Sequence, residues 1–86
     1  MSVKLLVLKS YEDVIAEISE VTNGIVTTHY ELSNPYVTRL ENDQVSYYPY
    51  LPLSKDKNIT IPFDWVVTIA EPLDEIKQSY LEQING

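Results

Sequence analysis

The sequence predicts a mainly β chain followed by one C-terminal helix, on three observations. Short runs rich in Val, Ile, Thr and Tyr alternate with a period of two between residues 3 and 70. Asn-Gly, Asn-Pro and Pro-x-x-Pro groups punctuate those runs, and each forces a turn or a break. After Glu71 and Pro72 the apolar spacing changes to three and four, which is one face of a helix.

Residues 59–70 are the densest of the β runs and hold the one Phe and one Trp of the chain. They read as a hairpin. Ile59 and Ile61 alternate with Thr60 on the first arm, and Val67 and Ile69 alternate with Val66, Thr68 and Ala70 on the second. Pro62 has no N–H for a ladder and biases Ile61 towards extended geometry, so residues 62–64 are the turn.

The other elements follow in order. Residues 3–9 carry apolar side chains on both faces, so this strand is covered on both sides, by an interior and by a helix or a neighbouring subunit. Residues 14–21 form a second strand with one solvent-leaning face, and Asn23 and Gly24 supply a type I′ turn. A third strand over 25–32 meets Ser33, Asn34 and Pro35, which bend or break it before residues 36–40 continue the pattern. Polar residues 41–44 turn the chain into an extended run over 45–51. Pro49 and Pro52 make that run irregular or end it. A charged loop over 54–58 leads to the central stretch. Leu73, Ile76, Tyr80, Leu81 and Ile84 then line one face of a helix of about twelve residues, with Pro72 at its first position and Asn85 and Gly86 at its end.

Composition narrows the function. A chain of 86 residues is one domain and buries only about 60–65% of its unfolded surface. Without Cys it has no disulfide and no thiolate metal site, so association with other subunits is the natural source of added stability. Thirteen acidic residues against six basic ones give a net charge of −7, which opposes general binding to a phosphate backbone. The apolar N-terminal stretch is too short for a secretory leader and no run reaches the length of a membrane span, so a soluble cytoplasmic protein with no membrane partner is expected.

Catalytic and metal chemistry find little support. His29 and Glu31 would share a strand face, but one His without Cys falls short of the three or four ligands of a stable site, so no metal is expected. The pairs Glu12/Asp13 and Glu17/Glu20 read as a solvated acidic face, since nothing places a nucleophile or cleft between them. Gly24 and Gly86 are the only glycines, too few for a phosphate loop, and no triad can be built on the single His. The chain therefore reads as a non-enzyme with no catalytic residue and no cofactor. Tyr47, Tyr48 and Tyr50 suit either stacking of unpaired bases or packing and subunit contact. No Lys or Arg lies between Asn42 and Leu53, which favours the second.

The order strand, strand, Asn-Gly turn, bent strand and final hairpin resembles the Sm-like (LSm) family, a small, strongly bent, five-stranded barrel of SH3 type. Where that family reads apolar, Arg-Gly, polar pair, Val-Val-x-Ile, this chain has Ile61, Pro62 and Phe63, Asp64 and Trp65, then Val66, Val67, Thr68 and Ile69. Residues 12–18, 32–35, 49–52 with 54–56, and 71–72 with the last helix resemble Sm-like proteins attributed to cyanophages in marine sequence. The resemblance implies one barrel over residues 1–72 with the helix of 73–86 packed on it, in the host cytoplasm where the chain is phage-encoded. It also implies a closed homo-oligomeric ring of about five to eight subunits, in which the fourth strand of one subunit pairs with the fifth of the next.

On that likeness, residues 66–69 form one side of the seam, and the other side comes from 45–51 or from 58–61. The implied interface is Tyr47, Tyr48, Tyr50, Ile59, Ile61, Val66, Val67 and Ile69. The implied ligand rim is Asn23, Gly24, Asn34, Pro62, Phe63 and Asp64, with Asn23 or Asn34 standing for the family's nucleotide-binding Asn. Pro62 and Phe63 replace the family's Arg-Gly, which removes a cation and a close backbone approach. The helix follows the barrel, whereas in the family it precedes it. A binding or scaffolding ring with an RNA or protein partner is the implied function, and a single-stranded RNA binder its alternative.

Overall fold

The computed structural model describes residues 2–86; Met1, first residue of the expected 1–72 unit, lies outside the described residues. Six strands and one α-helix follow in order: β1 (Ser2–Leu8), β2 (Asp13–Asn23), β3 (Val26–Glu41), β4 (Gln44–Pro49), β5 (Asn58–Pro62), β6 (Val66–Ala70) and α1 (Asp74–Asn85). All pairing is antiparallel. The order is β4-β3-β2-β1-β6, and β5 pairs with β3 beyond β4. The sheet does not close on itself.

The 16-residue β3 organises the rest. One edge pairs with β2, while the other takes β5 along residues 29–33 and β4 along 36–41, so β4 and β5 lie end to end. The bend expected at Ser33, Asn34 and Pro35 is present, yet the strand is not broken. Asn34 takes a left-handed conformation, φ 50°, and β3 there carries one more residue than β2, since Ile15 faces Tyr36 and Glu17 faces Ser33. Such a bulge sharpens local twist. Asn42 and Asp43, both at positive φ, turn β3 into β4.

The hairpin expected over residues 59–70 does not form. Pro62 ends β5, residues Phe63–Trp65 make a single 3₁₀ turn, and the two arms leave in different directions, β5 to β3 and β6 to β1. A proline without a donor and a helical turn together rotate the chain out of the plane in which adjacent arms would pair. The phase expected for the second arm is also reversed. Val66 packs on the interior, and Val67 and Ile69 face outward.

Two apolar clusters hold the sheet. Leu6, Leu8, Val14, Ala16, Leu32 and Ile61 fill its concave interior. Val3, Ile15 and Tyr80 form the second on the outer face, joined by Leu5, Tyr36 and Tyr47 from the sheet and by Ile76, Leu81 and Ile84 from α1. Both faces of β1 are thus covered, by the interior and by the helix. Full burial of each Leu, Ile or Val contributes about 1.5–3 kcal/mol.

The helix starts two residues later than Pro72, which is buried, and its C-terminal Gly86 N–H donates to the Glu82 carbonyl at 2.8 Å. Its Tyr80 is fully buried and shares its O–H between the carbonyls of Ser33 (3.2 Å) and Asn34 (2.8 Å). One side chain therefore ties α1 to the bend of β3, and its ring meets Tyr36 edge-on at 6.2 Å.

Candidate subunit interface and ligand rim

Strand β5 has β3 as its one neighbour and β6 has β1, so among the described residues each presents an unpaired outer edge. Each is five residues long. They are joined by the 3₁₀ turn, whose Trp65 carbonyl accepts the Lys9 N–H at 2.9 Å. An extra residue in β6 opposite Val7 and Leu8 adds twist where that strand begins. Outward from this corner stand Phe63, Trp65, Val67 (62% exposed) and Ile69 (38%). A row of unpaired backbone groups beside exposed apolar side chains is what a pairing partner recognises.

The expected interface residues divide in two. Ile61 is buried, and Ile59, Val66 and Tyr50 pack on the interior cluster, so they are used within the subunit. Tyr47 packs under α1 and its O–H reaches the Ile76 carbonyl at 3.4 Å. Tyr48 remains open on β4. Its O–H donates to Glu41 Oε1 at 2.8 Å and the Arg39 guanidinium sits 5.6 Å from its ring centre. Val67 and Ile69 are the apolar side chains of the expected set that β6 turns outward.

The expected rim residues occupy three places along β3. Asn23 and Gly24 sit at the tip of the β2–β3 hairpin, with Gly24 at φ 67°. Pro62 pairs with His29, followed by Phe63 and Asp64 in the 3₁₀ turn. Asn34 lies at the bend, where its N–H donates to the Lys57 carbonyl at 2.7 Å. Asn34 is eight positions from Val26, roughly 26 Å along an extended strand, so one subunit does not gather these groups at a single point.

Other polar groups are ordinary surface features. His29 is exposed with Nδ1 3.1 Å from Thr28 Oγ1. Among the described residues no group of three or more His, Cys, Asp or Glu converges on a metal-sized site. Ser10 Oγ donates to Glu12 Oε1 at 2.9 Å, and Lys4 pairs with the exposed Glu71. Burial, reinforced by Glu12, raises the Tyr50 hydroxyl above its ordinary pKa; burial, reinforced by Glu17, does the same to Tyr80. No described helix is long and apolar enough to cross a membrane.

Sequence reasoning read Asp64 and Trp65 as shaping the turn, with a Pro, Phe and Trp tip equally able to face a partner, and the structure leaves Phe63 and Trp65 exposed there. It passed over the convergence of residues 50–57 on the bend of β3, which depends on two strands meeting one edge of β3 and which no local pattern encodes.

A small, bent, antiparallel sheet with a helix on its outer face and two unpaired edges defines the class of this protein. The chain belongs to DUF6561, a family of unknown function, which it matches over residues 1–85. No curated protein matches the chain.

Proposed function

We propose that this chain is a non-enzymatic, Sm-like subunit that assembles head to tail into a homo-oligomeric ring and acts there as a binding or scaffolding platform. The observation that supports this reading is the pair of open edges. The outer edge of β5 and the outer edge of β6 are equal in length, and β6 adds Val67 and Ile69 as an exposed apolar strip. They play the parts of the fourth and fifth strands that join neighbouring subunits in Sm-like rings, with β4 and β5 together corresponding to one strand interrupted by residues 50–57. A contact between two different edges is heterologous, and it ends in a ring when its rotation closes. Closure pairs the open edges of β5 and β6 and covers apolar surface that a small core leaves outside.

The test is the solution mass by light scattering, before and after nuclease and high salt. A defined multimer of about five to eight copies without nucleic acid supports the platform. A monomer at all concentrations overturns it. RNA that co-purifies and is stripped by salt favours the RNA-binding alternative instead.

A further inference from the structure

A cleft of about 250 Å³ opens where β4 leaves β3 and β5 has not yet begun. Its floor is the bend of β3 at Asn34, Pro35 and Tyr36, and its outer wall is the chain between the two strands. That connecting chain is fixed at several points. The Tyr50 N–H donates to the Pro35 carbonyl at 3.0 Å, Ser54 N–H to the Leu51 carbonyl at 3.0 Å, and Asp56 N–H to Ser54 Oγ at 3.0 Å. At its far end the Lys57 carbonyl holds the Asn34 N–H at 2.7 Å. Three prolines on the lining further restrict it, so the cleft is preformed.

The lining has two chemistries. Tyr50 and Ile59 offer flat or apolar surface, and Lys55 and Lys57 place two of the six basic residues of the chain at the same opening. Asp56 lies between them and Glu12 bears on the Tyr50 hydroxyl, so the two lysines concentrate cationic groups on a molecule of net charge −7 without leaving the opening free of carboxylates. A dry cavity of about 150 Å³ accepts benzene, so this volume holds one aromatic ring and a charged substituent. A free anion is repelled by most of this acidic surface and meets two ammonium groups here.

We propose that the cleft between β4 and β5 binds a small planar anion, its ring against Tyr50 and Ile59 and its charge on Lys55 and Lys57. The anionic group is a carboxylate or a phosphate ester. Every residue of the cleft belongs to one subunit, so binding is separable from assembly. Ile59 is the one lining residue that belongs to β5, its side chain packs on the interior cluster, and no residue of β6 lines the cleft.

The experiment is a titration of the ¹⁵N-labelled full chain followed by amide shifts, with benzoate and adenosine monophosphate as the planar anions and inorganic phosphate and benzyl alcohol as single-feature controls. Saturable shifts at Asn34, Tyr36, Lys55 and Lys57, with roughly millimolar affinity for a ligand of that size, are expected. Both controls should bind at least about tenfold more weakly, and Lys55→Gln with Lys57→Gln should weaken the planar anion by about tenfold while amides elsewhere stay in place. Tighter binding of benzoate or of the nucleotide tells carboxylate from phosphate ester, and either supports the site. Shifts spread over the surface, phosphate alone binding equally well, an unaffected double variant, or no saturable shift would each overturn it.

Discussion

Replacing Val67 by Asp separates folding from assembly. Val67 is 62% exposed in the single subunit, on the open strand β6. Its substitution there should cost the fold no more than the span of β-propensity, about 1 kcal/mol. A seam formed on β6 covers the rest of the side chain. Complete burial of Val contributes about 1.5–3 kcal/mol, so the exposed share gives about 1–2 kcal/mol per seam. An Asp at the same point loses that gain and adds about 1–3 kcal/mol for a polar group buried without a partner. The combined loss, about 2–5 kcal/mol, lowers each seam constant by roughly 30-fold to several thousand-fold. Light scattering and thermal unfolding should therefore report a folded monomer at micromolar concentration where the parent is a multimer. A variant of unchanged mass would refute the placement of the seam on β6. An unfolded chain would refute the outward orientation of Val67.

Other outcomes follow from the same structure. Tyr80→Phe should destabilise by about 1–3 kcal/mol in denaturant, because the Ser33 and Asn34 carbonyls lose their shared donor in a buried place, and Tyr80→Ala by about 3–5 kcal/mol. The raised folded pKa of Tyr80 means that its protonated form is favoured by folding. Stability from that term is complete below the unfolded value near 10 and falls as pH rises beyond it, because the unfolded state then releases the proton first. Melting curves across alkaline pH should show this decline, and it should be shallower in Tyr80→Phe. Gly24→Ala should cost about 1 kcal/mol by backbone strain alone, since φ is 67° and nothing lies within 4 Å of an added Cβ. A loss much larger than that in chemical denaturation would mean that the hairpin tip touches something.

The sequence was informative where a property is local. Period-two runs located the strands, Asn23 and Gly24 marked a turn, and the three-and-four spacing gave a helix of twelve residues. Two further features were harder to read. Which strands pair depends on direction at the 3₁₀ turn, and a Pro-Phe-Asp-Trp sequence suits a tight hairpin as well as a divergent corner. The inward phase of β6 was ambiguous because Val66 and Val67 are identical side chains on opposite faces. The proposed interface was partly legible, since Val67 and Ile69 stand on the open strand while Tyr47, Tyr50, Ile61 and Val66 are taken up by the subunit's own packing. Lys55 and Lys57 read as a charged loop because their neighbours Asn34 and Tyr36 lie some twenty residues away in sequence and meet them only through β3.

The Tyr80 clamp also has a kinetic meaning. Its contacts with Ser33 and Asn34 span 47 and 46 residues, and β6 must return to β1 to pair Ala70 with Leu5. Loops of that length close at an entropic cost before any contact rewards them, which places the chain among slow folders, in milliseconds to seconds. The β2–β3 hairpin joins neighbours in sequence and can form early. While residues up to Tyr80 are still being synthesised, that hairpin waits with its bend unclamped and both apolar faces open. In this interval a nascent chain is most exposed to pairing with the wrong copy.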